Sequence, residues 1–75
     1  MIVPLSSLRP GERGVVVSIT GGARGRSRLM AMGLMPGAVV QVVEAYGRGP
    51  IIFTVGSTRL AMGRGLATRV LVRKL

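Results

Sequence analysis

Seventy-five residues leave room for one hydrophobic core, since a chain this short buries only about 60% of the surface its unfolded form exposes. Hydrophobic residues make up 48% of the chain and its mean hydropathy is +0.52, which excludes a disordered polar segment. Eleven Lys and Arg stand against two carboxylates, a formal charge of +9, and such a field attracts nucleic acid, anionic lipid, a nucleotide or an acidic protein face.

The chain has no cysteine, so neither disulfides nor thiolate metal sites support this small core. The longest apolar stretch, Leu29 to Met35, contains Gly33 and stops at Pro36, far short of the ~18 residues of a membrane span. The N-terminus lacks the basic and long apolar regions of a secretory signal, and the expectation is a single domain over residues 1–75 that stays in the compartment where it is made.

In chain order, Pro4 to Leu8 reads as one helical turn and Arg9-Pro10-Gly11-Glu12 as the turn that launches a strand, Gly14 to Ile19. Strict alternation puts Val15, Val17 and Ile19 on one face of that strand and Val16 and Ser18 on the other, as in a central strand covered on both sides. After the loop Thr20 to Gly25, Leu29 and Met32 stand at helical spacing. They predict a short helix over Arg26 to Met32, capped by Gly33 in a left-handed conformation.

Leu34-Met35-Pro36-Gly37 reads as a type II turn, because proline presets the first central torsion and glycine tolerates the positive φ of the second. A strand follows from Ala38 to Tyr46. Gly47-Arg48-Gly49-Pro50 turns the chain into Ile51 to Val55, and Gly56-Ser57-Thr58 turns it into Arg59 to Met62. Gly63 to Ala67 reads as a single helical turn before the last strand, Thr68 to Arg73, whose Val70 and Val72 point inward. The expected fold is mainly β: a five-stranded, closed or nearly closed barrel with one short helix between strands one and two and short helical turns.

Catalysis starts from a poor inventory, with no histidine, no cysteine and only Glu12 and Glu44 as carboxylates. Both read as solvated surface groups, and the chain is expected to be no enzyme. The same inventory leaves no cofactor and no metal site to predict. Of the methionines, Met32 and Met62 fall at core-facing positions, while Met30 and Met35 read as adaptable apolar contacts for a partner.

Gly21-Gly22-x-x-Gly25 lacks the Lys-Ser/Thr ending of a phosphate-cradling loop. Arg24, Arg26 and Arg28 stand at or just before the predicted helix start, where the helix dipole disfavours cations. Either they are a solvated face or they form, with the helix N-terminus, a receptor for phosphate or an acidic protein surface. Arg48 at a turn tip, with Arg69, Arg73 and Lys74 on the last strand, extends this basic set. Single-strand nucleic-acid readers stack bases on aromatic rings, and Tyr46 and Phe53 are the only aromatics, Phe53 in an apolar strand as expected of core.

Leu5, Leu8-x-Pro10-Gly11, Gly14-x-Val16, Gly21-Gly22, Arg28-Leu29-x-x-Met32-Gly33-Leu34-x-Pro36-Gly37 and Gly49-Pro50 together resemble the ferrous iron transport protein A family, FeoA. The tail Leu60-Ala61-Met62-Gly63-Arg64-x-Leu66-Ala67-x-x-Val70-x-Val72 fits it too. That tail is equally similar to the SH3-like C-terminal domain of DtxR-type metalloregulators.

The resemblance implies an SH3-like cytoplasmic adaptor that docks on the GTP-binding cytoplasmic region of FeoB, a Fe(II) importer, and so lies peripherally at the inner membrane. Leu29, Met32, Gly33, Pro36 and Gly37 take the structural part of the family motif. Arg24, Arg26, Arg28, Met30, Leu34, Met35 and Arg48 are the residues expected to meet the partner, with anionic lipid or nucleotide phosphate as further anionic ligands. Gly63 departs from the family, many members of which carry a basic residue there; Arg64 stands next to it. The alternatives are an RNA-binding small barrel and a stand-alone metalloregulator-like interaction domain. Self-association through an open strand edge is a further possibility.

Overall fold

The computed structural model describes residues 1–75. Its elements are strand β1 (Ile2–Pro4), a 3₁₀ turn (Leu5–Ser7), β2 (Arg13–Ile19), helix α1 (Ala23–Ala31), β3 (Val39–Ala45), β4 (Ile51–Val55), β5 (Thr58–Met62), α2 (Arg64–Ala67) and β6 (Val70–Lys74). All strand pairs are antiparallel, in the order β1-β6-β2-β3-β4-β5. The strand expected as the first is therefore the second of six, and it is central, between β6 and β3. The sheet curls around its core without closing, so the barrel is looser than the sequence suggested, and β1 and β5 remain as edges.

Fifteen buried hydrophobic side chains form one core, with Phe53 the largest of those fully enclosed and no buried polar residue among them. Gly14 faces inward on β2. A Cβ there would meet Val72 Cγ2 at 2.9 Å, so glycine is what lets β2 and β6 approach.

Alternation along β2 does not hold throughout. The pairing with β6 shifts between Val16 and Ser18, so Val17 is the extra residue of a bulge and stands 40% exposed. Val16 and Ile19, three apart, both reach the core, and the strict period that grouped Val15, Val17 and Ile19 is broken there. A second bulge at Val43 of β3 bends the same sheet further.

Helix α1 starts three residues earlier than its periodicity indicated, because Ala23, Arg24 and Gly25 have no core contacts to announce them. It ends as expected. Gly33 has φ +100°, its N–H donates to the Met30 carbonyl at 3.0 Å, and the Leu34 N–H donates to the Leu29 carbonyl at 3.1 Å. These are the two bonds of a Schellman cap, which characteristically packs the residue after the glycine onto the helix's last turn.

Leu34 is accordingly fully buried beside Leu29, not offered to a partner. Met32, read as core, is 37% exposed instead, because it sits at the cap position a turn beyond the buried stripe. Met62 is core as expected. Pro36-Gly37 makes the type II turn: Gly37 has φ +94° and the Ala38 N–H donates to Met35 O at 2.9 Å.

Leu34→Ala should therefore destabilise the fold by about 2–5 kcal/mol in urea denaturation, whereas Met35→Ala, at a site 54% exposed, should cost under about 1 kcal/mol.

Candidate functional site

Helix α1 buries only Leu29, with Met30 half-buried against the core, and leaves the rest of its surface in solvent. At 3.6 residues per turn Arg24 and Arg28 stack on one exposed side, while Arg26 points away from them, flanking the buried stripe next to Met30. The three arginines are thus inside the helix and on two of its sides. Arg28 lies in the last turn, where the dipole favours a cation; Arg24 lies in the first, where it does not.

Arg69 joins this surface from a distant part of the chain. It sits in the turn before β6, not on the strand, where its carbonyl accepts the Thr20 N–H at 2.8 Å. Its side chain lies over Gly21 and Gly25: a Cβ on Gly21 would come 3.2 Å from Arg69 Nη1. These glycines cradle an arginine beside the helix start. The first turn of α1 has no acidic residue and no side-chain cap, so Arg24 and Arg69 meet no carboxylate there.

The other basic residues are dispersed. Arg48 tops the β3–β4 turn, about 23 Å along β3 from the Pro36-Gly37 turn at the helix exit. Arg73 lies on the outer face of the sheet between Ile2 and Val15. Lys74 pairs with Glu12 at 2.5 Å, the sole ion pair in the molecule. Arg64 holds α2 to the 3₁₀ turn through Nη1 donating to Ser6 O at 3.4 Å, so it is tied into the fold.

Glu12 also accepts the Arg9 N–H at 2.7 Å. The Lys74 and Arg9 hydrogen bonds hold its carboxyl below the ordinary glutamate range. This carboxylate borders a cleft of about 420 Å³ lined by Met1, Val3, Ser7, Leu8, Arg9, Glu12 and Lys74. Sequence reading missed the cleft because the pairing of β1 with β6 assembles it from both chain ends. No three His, Cys, Asp or Glu residues come together, so the donors present do not form a conventional metal centre. No helix is long and apolar enough to cross a membrane.

The model of the FeoA domain matches residues 3–74. The chain belongs to the FeoA domain family. A protein of Methanocaldococcus jannaschii assigned as an Fe(2+) transport protein A is 33% identical over 69 residues, covering 92% of this chain and 83% of that one. The crystal structure of an iron uptake regulatory protein, itself a FeoA, is 56% identical with a TM-score of 0.94 over the whole of both chains.

The FeoA of Stenotrophomonas maltophilia, solved with zinc and described as a prokaryotic SH3-domain protein, is 31% identical with a TM-score of 0.82, covering 93% of this chain and 88% of that one. The fold alone is shared with metalloregulators: a manganese-dependent transcriptional repressor matches 99% of this chain over 42% of its own, at 20% identity and a TM-score of 0.88. FeoA proteins take part in ferrous iron transport, and the SH3-like fold of this chain is that of the family.

A carboxyl whose folded-state pKa is depressed stabilises the fold above its unfolded pKa, and that contribution is lost as pH falls through the folded value. Thermal unfolding at neutral and strongly acidic pH should show a loss of stability toward acid that is smaller in Glu12→Gln than in the parent chain.

Proposed function

We propose that this FeoA is a non-enzymatic accessory protein of ferrous iron uptake, on the cytoplasmic side of the membrane, that docks on the GTP-binding cytoplasmic region of the FeoB transporter through α1. The observation that carries this reading is the α1 surface itself. Arg24, Arg28 and Arg69 gather around one helix with no carboxylate among them, and exposed Met32 and Met35 follow at its exit. Unpaired arginines beside adaptable methionines suit an acidic protein face with apolar contacts at its centre.

Arg26 flanks the same helix and Met30 supplies its half-buried base, whereas Leu34 acts by holding α1 on the core and Arg48 belongs to a separate part of the surface. Anionic lipid headgroups and the phosphates of a transporter-bound nucleotide carry the charge this face would meet. An RNA-binding role lacks a stacking platform: Phe53 is wholly buried and Tyr46, 73% exposed, is alone.

Calorimetric titration into the purified cytoplasmic domain of the cognate transporter, with and without GTP, tests the reading. Binding should be saturable and should weaken about tenfold or more for Arg28→Glu. A structured RNA of similar length should bind weakly, with an affinity that falls steeply in salt. Tight RNA binding with no transporter binding would reverse the assignment while leaving the fold intact.

A further inference from the structure

The sheet has two edges, and they differ. β1 is three residues long and ends in Pro4, which has no N–H to offer an incoming strand. β5, Thr58–Met62, pairs with β4 and with no other strand.

The β4–β5 hairpin turns through two residues, Gly56 with φ +60° and Ser57. A loop of this length makes Val55 and Thr58 a doubly hydrogen-bonded pair, and bonded and unbonded pairs alternate from there. Thr58, Leu60 and Met62 therefore direct their N–H and C=O groups to β4. Arg59 and Ala61 direct theirs away from the sheet. Neither takes part in any of the main-chain bonds made outside the strands and helices, and both residues are exposed.

Charge decides the occupant of this edge. Two copies joined through β5 would bring two bodies of +9 together, and β5 carries no carboxylate to set against Arg59. A charged residue on an edge strand is a common guard against self-pairing. The same charge favours a strand that places a carboxylate at the cross-strand position.

We propose that β5 is a strand-addition site that takes an extended acidic segment of a partner protein, bonded to the main chain of Arg59 and Ala61 with a carboxylate beside the Arg59 guanidinium. The residue opposite Leu60 points to the inner face, where Leu60 packs half-buried against the core, so the fitting segment alternates acidic and apolar side chains. This site does not depend on α1 or on the transporter being the partner.

Amide hydrogen exchange followed by NMR on the full chain tests it, with a short synthetic peptide alternating Glu and Val as the probe and its Lys-for-Glu counterpart as control. The Glu peptide should slow exchange at Arg59 and Ala61 by about tenfold or more, and leave Thr58 and Leu60, already bonded to β4, unchanged. Arg59→Glu should weaken binding of the Glu peptide by about tenfold and transfer preference to the Lys peptide. Ala61→Pro removes an outward N–H that β4 does not use and should abolish the effect; if that variant does not fold, the exposed Arg59→Glu carries the test.

No slowing at Arg59 and Ala61, or equal slowing by both peptides, would overturn the proposal. Slowing without peptide that grows with protein concentration would overturn it in favour of a second copy.

Discussion

The Leu34 amide donates to the Leu29 carbonyl at 3.1 Å, and that one reversal of the chain carries both leucines into the core. It requires the positive φ of Gly33, which a side chain would strain. With Leu29 as its only buried residue, α1 has little else to hold it. The cap therefore decides three things together: where the helix stops, how it lies on the sheet, and which of its sides meets solvent. Pro36-Gly37 then returns the chain at once to β2, where the Gly37 N–H donates to Val16 O at 2.8 Å. The surface it presents is basic because α1 itself, Ala23 to Ala31, carries three arginines and no carboxylate.

That imbalance runs through the molecule. Of the two carboxylates, Glu12 is held by Lys74 and the Arg9 amide, and Glu44 lies half-buried on β3. The arginines of α1 thus have no internal partner to gain from. Arg24 and Arg69 sit beside the start of a helix, where the dipole opposes them, so local stability gives no reason for their placement. The docking proposed above would supply the missing negative charge.

Much of this was legible from sequence because glycine and proline mark backbone geometry directly. Gly33 and Pro36-Gly37 fixed the helix end and the next turn, and Pro50 and Gly56 bracketed β4 to the residue. What escaped has physical causes. β1 is a strand only because β6, nearly seventy residues away, pairs with it, and no local pattern of three residues shows that. The bulge at Val17 breaks the period on which facing was judged. Leu34 looked like an exposed apolar residue at a helix exit because its burial depends on the three-dimensional closure of the cap. The arginines of α1 could be picked out from the sequence, yet their division between two sides of the helix and the arrival of Arg69 needed the helix start and the β6 turn in place.

The most direct test of the docking account is a chemical-shift map of the isotopically labelled chain, titrated with the unlabelled cytoplasmic domain of the cognate transporter. The account predicts that the amides of Arg24 to Arg28 and of Met32 to Met35 shift or broaden saturably, while those of Arg48 and the β3–β4 turn stay still. Saturable binding with the helix signals unmoved, or no binding at physiological salt, would contradict it.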